Sequence, residues 1–123
     1  MNTAREFIQE WMDTVCSNDS SSIASLYKEE AVLLGTLDKS VRKGRSLVKE
    51  YFDFFVKLKP CGKITELVEE DYENGRFCVV NGTYDFNLIE NDEQVVAPAR
   101  FTFVLERIGT KWVIQSHHSS KQP

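Results

Sequence analysis

The second half of the chain is a series of extended segments joined by short turns, and this pattern limits the fold more than any other feature. Four stretches are rich in β-branched and aromatic residues, at positions 64–71, 76–89, 95–107 and 111–119. The turn-forming triplets Glu-Asn-Gly, Glu-Asn-Asp and Ile-Gly-Thr separate them. Connections of this composition favour hairpins, so we predict four consecutive antiparallel strands.

The first half of the chain predicts helices. Thr3 and Glu6 have the spacing of a capping box, in which each side chain satisfies the other residue's backbone amide. An apolar stripe at helical spacing follows it, formed by Ala4, Phe7, Ile8, Trp11, Met12 and Val15. The polar cluster 17–22 ends this helix and caps a short second one, whose inward residues are Ile23, Leu26 and Tyr27.

A brief buried strand is predicted at 31–34, before a polar loop at 35–45. A third helix runs from Ser46 to the breaking segment 59–62. Its inner side is formed by Leu47, Val48, Tyr51, Phe52, Phe55 and Leu58. The order of elements predicts an α+β fold, with three N-terminal helices over the concave face of a curved antiparallel sheet. We expect one domain over residues 1–123 and a ligand pocket between helices and sheet.

Charge and hydropathy exclude several classes of partner. The formal net charge of -4 at pH 7 argues against nucleic acid. No apolar run approaches the roughly 20 residues that span a bilayer, so we expect no membrane partner. Cys16, Cys61 and Cys78 fit neither a zinc spacing nor an obvious disulfide framework. We therefore expect reduced thiols and a cytoplasmic protein, or a periplasmic one if a leader has been removed.

The last strand carries the most concentrated polar chemistry of the sequence. His117, His118, Ser119 and Ser120 are consecutive, and they include both histidines of the chain. Because strand residues alternate faces, His117 and Ser119 share one face and His118 and Ser120 the other. Two adjacent histidines of one strand therefore cannot hold one metal ion together. The alternative interpretation is a polar strand end that satisfies backbone groups.

Four further polar residues could point into the pocket: Thr36, Tyr51, Tyr84 and Arg100. Taken singly, the tyrosines are equally explained as core aromatics whose hydroxyls find a partner. Arg100 could be a solvated cation on a strand. The sequence contains no glycine-rich phosphate loop, Gly-x-Ser-x-Gly elbow or His-Glu-x-x-His pair. Motifs alone therefore indicate a small domain with a polar pocket.

Several segments resemble a known family in the same order along the chain. They are Val-Leu-Leu-x-Thr at 32–36, Tyr-Phe at 51–52, Leu-Lys-Pro-x-Gly-Lys-Ile at 58–64, Gly-x-Tyr-x-Phe at 82–86, Arg-Phe-Thr-Phe-Val at 100–104, Trp-Val-Ile at 112–114 and His-His-Ser-Ser at 117–120. This set resembles the iota-class carbonic anhydrases, relatives of the association domain of calcium/calmodulin-dependent protein kinase II. The resemblance implies the cone-shaped, nuclear-transport-factor-2-like (SnoaL-like, cystatin-like) fold. Gly35 departs from it, since a proline is expected there, and the glycine could loosen the loop that holds Thr36.

The resemblance implies an enzyme that interconverts CO2 and bicarbonate, and a site for that reaction. Thr36, Tyr51 and a serine of the final motif match positions that metal-free members are thought to use. We assign Thr36, Tyr51, His117 and Ser119 to catalysis, with His117 as a proton shuttle. Substrate binding is assigned to Tyr84, Arg100, His118 and Ser120, although the sequence leaves open which serine faces the pocket.

The same resemblance bears on cofactors and assembly. Some members are described as metal-free and others as using manganese or zinc, and we expect no cofactor here, with Mn or Zn as the alternative. We expect a homodimer or higher homo-oligomer. Two rival functions are a non-catalytic association or small-anion-binding domain, and an isomerase or cyclase of the cone fold. The second rival usually needs an Asp or His base beneath a large apolar cavity, which the predicted Thr and Tyr lining does not favour.

Overall fold

The N-terminal helices form as the sequence predicts. The computed structural model describes residues 2–123; Met1, which the predicted domain includes, lies outside the described residues. Helix α1 spans Ala4–Cys16, and the Thr3–Glu6 capping box is present. Helix α2 spans Ser20–Ala24, and the Asp19 carboxylate accepts bonds from its first backbone amides. Every residue of the predicted apolar stripe in α1 is buried, so this helix covers the sheet with one face.

Helix α3 spans Arg45–Phe55 and continues as a 3-10 turn, Val56–Leu58. It buries Val48, Tyr51, Phe52 and Phe55. The prediction that Leu47 faces inward is wrong, because the buried face is centred on Val48 and Phe52 and leaves Leu47 41% exposed. Lys59 ends the turn in a left-handed conformation immediately before Pro60.

Six strands form one curved sheet in the order β2-β1-β6-β5-β4-β3. Their bounds are β1 Tyr27–Leu34, β2 Arg42–Lys43, β3 Cys61–Tyr72, β4 Phe77–Glu90, β5 Glu93–Ile108 and β6 Lys111–Lys121. The four predicted hairpin strands are confirmed as β3 to β6, and so is the α+β arrangement. Strands β3, β5 and β6 are longer than predicted, while β4 has the predicted length and starts one residue later. The register shifts at Thr65 in β3 and at Gln115 in β6, each of which is one extra residue against its partner strand, and irregularities of this kind bend a sheet.

The strand predicted at 31–34 is confirmed as the end of β1, but its earlier start and its pairing, which position the site, were not predicted. Tyr27, expected on the second helix, begins β1, and β2 pairs with β1 inside the segment expected to be a loop. Strand β1 runs parallel to β6 and sets Leu33 beside His117 and Leu34 beside His118. The chain that leaves β1 therefore carries Thr36 alongside the end of β6.

The prediction of three reduced cysteines is wrong. Cys16, at the end of α1, forms a disulfide with Cys61, at the start of β3. Cys61, expected to be a buried thiol, is exposed in that bridge, while Cys78 is a buried free thiol as expected. The fold brings together two elements that are 45 residues apart, which the spacing of cysteines cannot reveal. The cysteine argument for a reducing compartment therefore fails. Within residues 2–123, no helix is long and apolar enough to cross a membrane.

Candidate functional site

A small cavity lies between the helices and the sheet. Its volume is about 20 Å³, which is room for about one water molecule or a ligand of a few atoms. It is lined by Trp11, Leu33, Gly35, Thr36, Tyr51, Phe52, Phe55, Tyr84, Phe86, His117 and Ser119. Gly35 and Thr36 are the half-buried members of this lining, so the cavity comes nearest to solvent at the start of the loop after β1.

The alternation of β6 decides which side chains of the final motif reach this cavity. His117 and Ser119 are 3% and 7% exposed and line it. His118 is exposed and Ser120 is half-buried on the opposite face of the strand. The serine that faces the cavity is therefore Ser119.

Five of the predicted site residues come together here: Thr36, Tyr51, Tyr84, His117 and Ser119. The other three do not. Arg100 pairs with Ser120 across β5 and β6 and is exposed, while its neighbours Ala99 and Phe101 are buried. Arg100, His118 and Ser120 thus lie on the outer face of the sheet, which separates them from a ligand in the cavity.

A continuous chain of hydrogen bonds runs from α1 to the cavity. The Nε1 of Trp11 donates to the hydroxyl of Tyr27 over 3.2 Å, and that hydroxyl lies 2.8 Å from Nδ1 of His117. Nε2 of His117 is 3.2 Å from the hydroxyl of Tyr84, which donates to Oγ of Ser119 over 2.6 Å. Oγ of Ser119 is 2.5 Å from Oγ1 of Thr36.

Burial keeps His117 uncharged. It lowers the pKa of His117 to about 3, with a smaller contribution from the charge of the adjacent His118. Both ring nitrogens already have hydroxyl partners. The expectation that His117 shuttles protons to solvent near its ordinary pKa is therefore corrected, because the neutral ring has neither the accessible nitrogen nor the charge change for that task.

The tyrosine hydroxyls are also neutral. Burial raises the pKa of Tyr51 to about 12, while the backbone amides of Leu37 and Thr36 near its hydroxyl oppose the shift. Burial likewise raises the pKa of Tyr84, and the bond with Ser119 partly offsets the effect. The pKa of Tyr27 is raised well above its usual value by burial. No side chain of the lining is ionised at neutral pH, so the cavity offers hydroxyl dipoles without a charge.

Gly35 allows the ring of Tyr51 to lie against the loop. A Cβ atom at position 35 would lie 2.4 Å from Cε1 of Tyr51 and 2.6 Å from its Cζ, which is far inside van der Waals contact. The glycine therefore makes room for Tyr51 beside Thr36. This replaces the expectation that it merely loosens the loop.

Arg42 ties the same loop to α3. Its guanidinium forms a close ion pair with Asp38 in the loop and donates from Nη1 to the backbone oxygen of Leu47 over 3.1 Å. The bond with Arg42 lowers the pKa of Asp38. These contacts connect the segment that carries Thr36 to the helix that carries Tyr51.

The donors of the site do not fit a metal ion. Within the described part of the chain, no three His, Cys, Asp or Glu side chains lie together in a way that could hold one. The cavity itself offers neutral hydroxyls and a histidine whose two nitrogens are both engaged, whereas Mn and Zn sites require ionised or unprotonated ligands. The expectation of no cofactor remains a prediction.

Sequence reasoning missed two members of the hydrogen-bond chain. Trp11 was assigned only to the apolar stripe of α1, and Tyr27 only to the inner face of a second helix. Their polar atoms meet because β1 pairs with β6 beneath α1. No local signal in the sequence indicates a contact of this kind.

The fold is that of the nuclear-transport-factor-2-like class. A structure from Novosphingobium aromaticivorans, described as an NTF2-like protein with a cystatin-like fold, matches with a TM-score of 0.79 at 12% identity, covering 95% of this chain and 78% of the other. The epoxide hydrolase/cyclase-like enzyme SalBIII matches with a TM-score of 0.68 at 19% identity, covering 96% of this chain and 89% of the other. These two likenesses concern the fold alone.

The family follows from two closer matches. The model of the SnoaL-like domain family matches residues 4–123. A structure from Xanthomonas campestris, described as a calcium/calmodulin-dependent protein kinase II association domain, is 32% identical, with a TM-score of 0.91 and coverage of 100% of this chain and 90% of the other. No sequence among curated proteins matches. The chain belongs to the SnoaL-like domain family.

Proposed function

We propose that this protein hydrates CO2 to bicarbonate in the cavity, without a metal ion. The observation that carries the proposal is the meeting of Thr36, Tyr51 and Ser119 in an uncharged cavity of about 20 Å³. These three positions are the ones that the sequence resemblance to iota-class carbonic anhydrases assigns to a metal-free reaction. The cavity also suits a substrate of very few atoms.

The reaction would form one bond and move one proton. The oxygen of a water molecule attacks the carbon of CO2, and a π electron pair of one C–O bond moves to its oxygen. The hydroxyls of Thr36 and Tyr51 stabilise that developing negative charge as hydrogen-bond donors. The attacking water loses a proton to solvent or buffer at the half-buried Gly35–Thr36 edge. The bond formed is C–O, and the products are bicarbonate and a proton.

The neutral lining favours the substrate over the product. CO2 carries no charge and enters an uncharged cavity at little cost, whereas a buried anion without a cationic partner is expensive. Bicarbonate is therefore expected to leave readily. The same argument disfavours a site whose task is to hold a small anion.

The cavity supplies position and dipoles but no ionised base. His117 is neutral with both nitrogens engaged, and the pKa of Tyr51 is raised to about 12. Zinc in the well-known carbonic anhydrases lowers the pKa of its bound water to about 7, and this lining has no equivalent. We therefore expect slow turnover that increases with pH, because hydroxide from solvent replaces water as the nucleophile.

The size of the cavity argues against the isomerase or cyclase alternative. Ligand sites for drug-sized molecules occupy roughly 300–1,000 Å³, many times the volume found here. SalBIII, which shares the fold, is described as an epoxide hydrolase/cyclase-like enzyme with a role in pyran ring formation in the polyether salinomycin. The aromatic walls of this cavity leave no room for such a ring system.

A stopped-flow assay with a pH indicator tests the proposal, with protein prepared with and without a chelator. We expect CO2 hydration to survive chelation and to fall at least about tenfold in Thr36→Val, Tyr51→Phe and Ser119→Ala. Ser120→Ala is the matched control, since it makes the same chemical change on the outer face of β6 and should leave the rate within about twofold. A rate no higher than buffer under every metal condition would refute the enzyme, and activity restored only by added metal would refute the mechanism.

A second candidate function is association. The Xanthomonas campestris relative, 32% identical, is described as an association domain, and this supports assembly of the present chain into a homodimer or larger oligomer. Assembly and hydration are compatible. Sedimentation velocity over a hundredfold range of concentration distinguishes a lasting oligomer from a monomer, whatever the result of the hydration assay.

A further inference from the structure

The chain of hydrogen bonds that ends at the cavity has a fixed starting point. The indole Nε1–H of Trp11 can only donate, and it donates to the hydroxyl of Tyr27 over 3.2 Å. Tyr27 is fully buried. Its hydroxyl oxygen is therefore an acceptor from one side, and its own proton must find a partner on the other.

We infer that Trp11, acting through Tyr27, sets the direction of donation along the whole hydrogen-bond chain. This direction makes the Thr36 hydroxyl a donor toward the cavity. The Tyr27 proton goes to Nδ1 of His117, at 2.8 Å. His117 then carries its own proton on Nε2 and donates it to the Tyr84 hydroxyl. Tyr84 donates to Ser119. The contact between Ser119 and Thr36 allows either donor, and we assign Ser119 as the donor because it is the more deeply buried of the two and its proton needs a partner.

The opposite direction leaves a buried proton without a partner. If His117 carried its proton on Nδ1, the Tyr27 oxygen would accept from both Trp11 and His117. Its O–H would then need another acceptor, and the described residues provide no further partner for it. An unsatisfied buried donor is costly, so the Nε2–H form of His117 is the one that the surroundings select.

The direction of donation determines which kind of ligand the cavity can bind. That the ligand is CO2 rests on the proposed function. Thr36 accepts from Ser119, so its own proton is free to point at a ligand. The hydroxyl of Tyr51, whose oxygen lies near the backbone amides of Leu37 and Thr36, is the second donor. A ligand between two donors must be a hydrogen-bond acceptor, as both oxygens of CO2 are. Trp11 and Tyr27 are thus positioning residues for the proposed reaction.

The experiment measures the tautomer of His117 directly by ¹⁵N NMR of the imidazole nitrogens at pH 7. The protein carries His118→Gln, which removes the other histidine of the chain from the outer face. We expect one protonated nitrogen, Nε2, and one unprotonated nitrogen, Nδ1, with widely separated resonances. A ring protonated on Nδ1, or on both nitrogens, would overturn the inference.

Variants test the role of Trp11 and Tyr27 in the same background. Trp11→Phe removes the donor that fixes the direction, and Tyr27→Phe removes the hydroxyl that relays it. In Trp11→Phe the smaller ring leaves room for a water molecule that can accept the Tyr27 proton, so the separation of the two nitrogen resonances should shrink as the Nδ1–H form becomes populated. In Tyr27→Phe an Nδ1–H would have no acceptor, so Nε2 should stay protonated and the Nδ1 resonance should move because its hydrogen bond is lost. Trp112→Phe is the matched control, because the Trp112 indole donates to the backbone oxygen of Asn2 instead, and it should leave the resonances unchanged.

The outcomes separate this inference from the proposed function. Resonances in a folded Trp11→Phe or Tyr27→Phe protein that equal those of the parent would refute the role of these residues. If neither variant folds, the tautomer of the parent protein still decides the direction. The expected tautomer together with no hydration of CO2 would refute the proposed function and leave the direction of the chain standing.

Discussion

At the scale of single residues, the contact between Gly35 and Tyr51 controls the shape of the cavity. The ring of Tyr51 occupies the space in which a side chain at position 35 would begin. Interiors are packed closely enough that one added methyl group must displace its neighbours. The absent Cβ is therefore as much a part of the site as the hydroxyl of Tyr51.

Gly35→Ala should destabilise the protein by about 1–3 kcal/mol, since the new methyl group overlaps the Tyr51 ring. Urea unfolding measures the change. Tyr51→Leu removes the end of the ring, so Gly35→Ala should cost less in that background, which a double-mutant cycle detects. An equal cost in both backgrounds would mean that the ring is not what excludes the side chain.

At the scale of elements, the alternation along β6 gives two neighbouring histidines opposite environments. His117 is buried among aromatic rings, with Phe103 stacked on it at 3.9 Å between centroids, and burial lowers its pKa to about 3. In the unfolded chain the same side chain titrates near 6.5. Acid therefore protonates the unfolded state first and favours it.

The sign of this effect gives a prediction in the His118→Gln variant, where His117 is the remaining histidine. Between pH 8 and pH 5, the unfolded state gains a proton that folded His117 does not accept, so the free energy of unfolding should fall by about 2 kcal/mol. The stability is fully present above pH 6.5 and is lost as the pH falls toward 3. Urea unfolding at each pH measures it.

Carboxylates add little to the change between pH 8 and pH 5. Several have a lowered pKa, among them Glu106 through its bond with Lys28, and their loss of stability begins below the range tested. His117→Gln in the same background should flatten the profile between pH 8 and pH 5. A flat profile while His117 is still present would contradict the account of a neutral buried ring.

Elements with a local signal were predictable, and those that depend on pairing were not. The turn residues Asn74, Gly75 and Asn91, which adopt left-handed conformations, indicate their hairpins in the sequence. The alternation of β6 predicted that His117 and Ser119 share a face. Tyr27 was assigned to a helix because its strand exists only through pairing with β6. The sequence therefore predicted part of the cavity lining. The hydrogen bonds that connect the cavity to Tyr27 and Trp11 depend on tertiary contacts alone, so the sequence did not predict them.

At the scale of the whole molecule, the Cys16–Cys61 disulfide closes a long loop. Its cysteines are 45 residues apart, and the loop contains β1, β2, α2 and α3. It therefore encloses Thr36 and Tyr51, while His117 and Ser119 lie outside it. The residues that line the cavity therefore come both from inside and from outside the loop that the disulfide closes.

Replacing both cysteines, in Cys16→Ser/Cys61→Ser, should lower the free energy of unfolding by about 4 kcal/mol, because a loop of this length no longer restricts the unfolded chain. Reductant should produce a similar loss in the parent protein and none in the double variant. Cys78→Ala, at the buried free thiol, is the control in which the response to reductant persists. Unfolding of the parent that does not respond to reductant would show that the bridge is not formed.

The same bridge bears on what happens if the backbone is cut. The loop after β1 has exposed residues at Lys39 and Ser40, where a protease could reach the chain. A cut there would divide the molecule into a piece with Cys16 and Thr36 and a piece with Cys61 and Tyr51. The two pieces would remain one covalent molecule, so a nicked protein could keep the two hydroxyls of its cavity in register while its chain is no longer continuous.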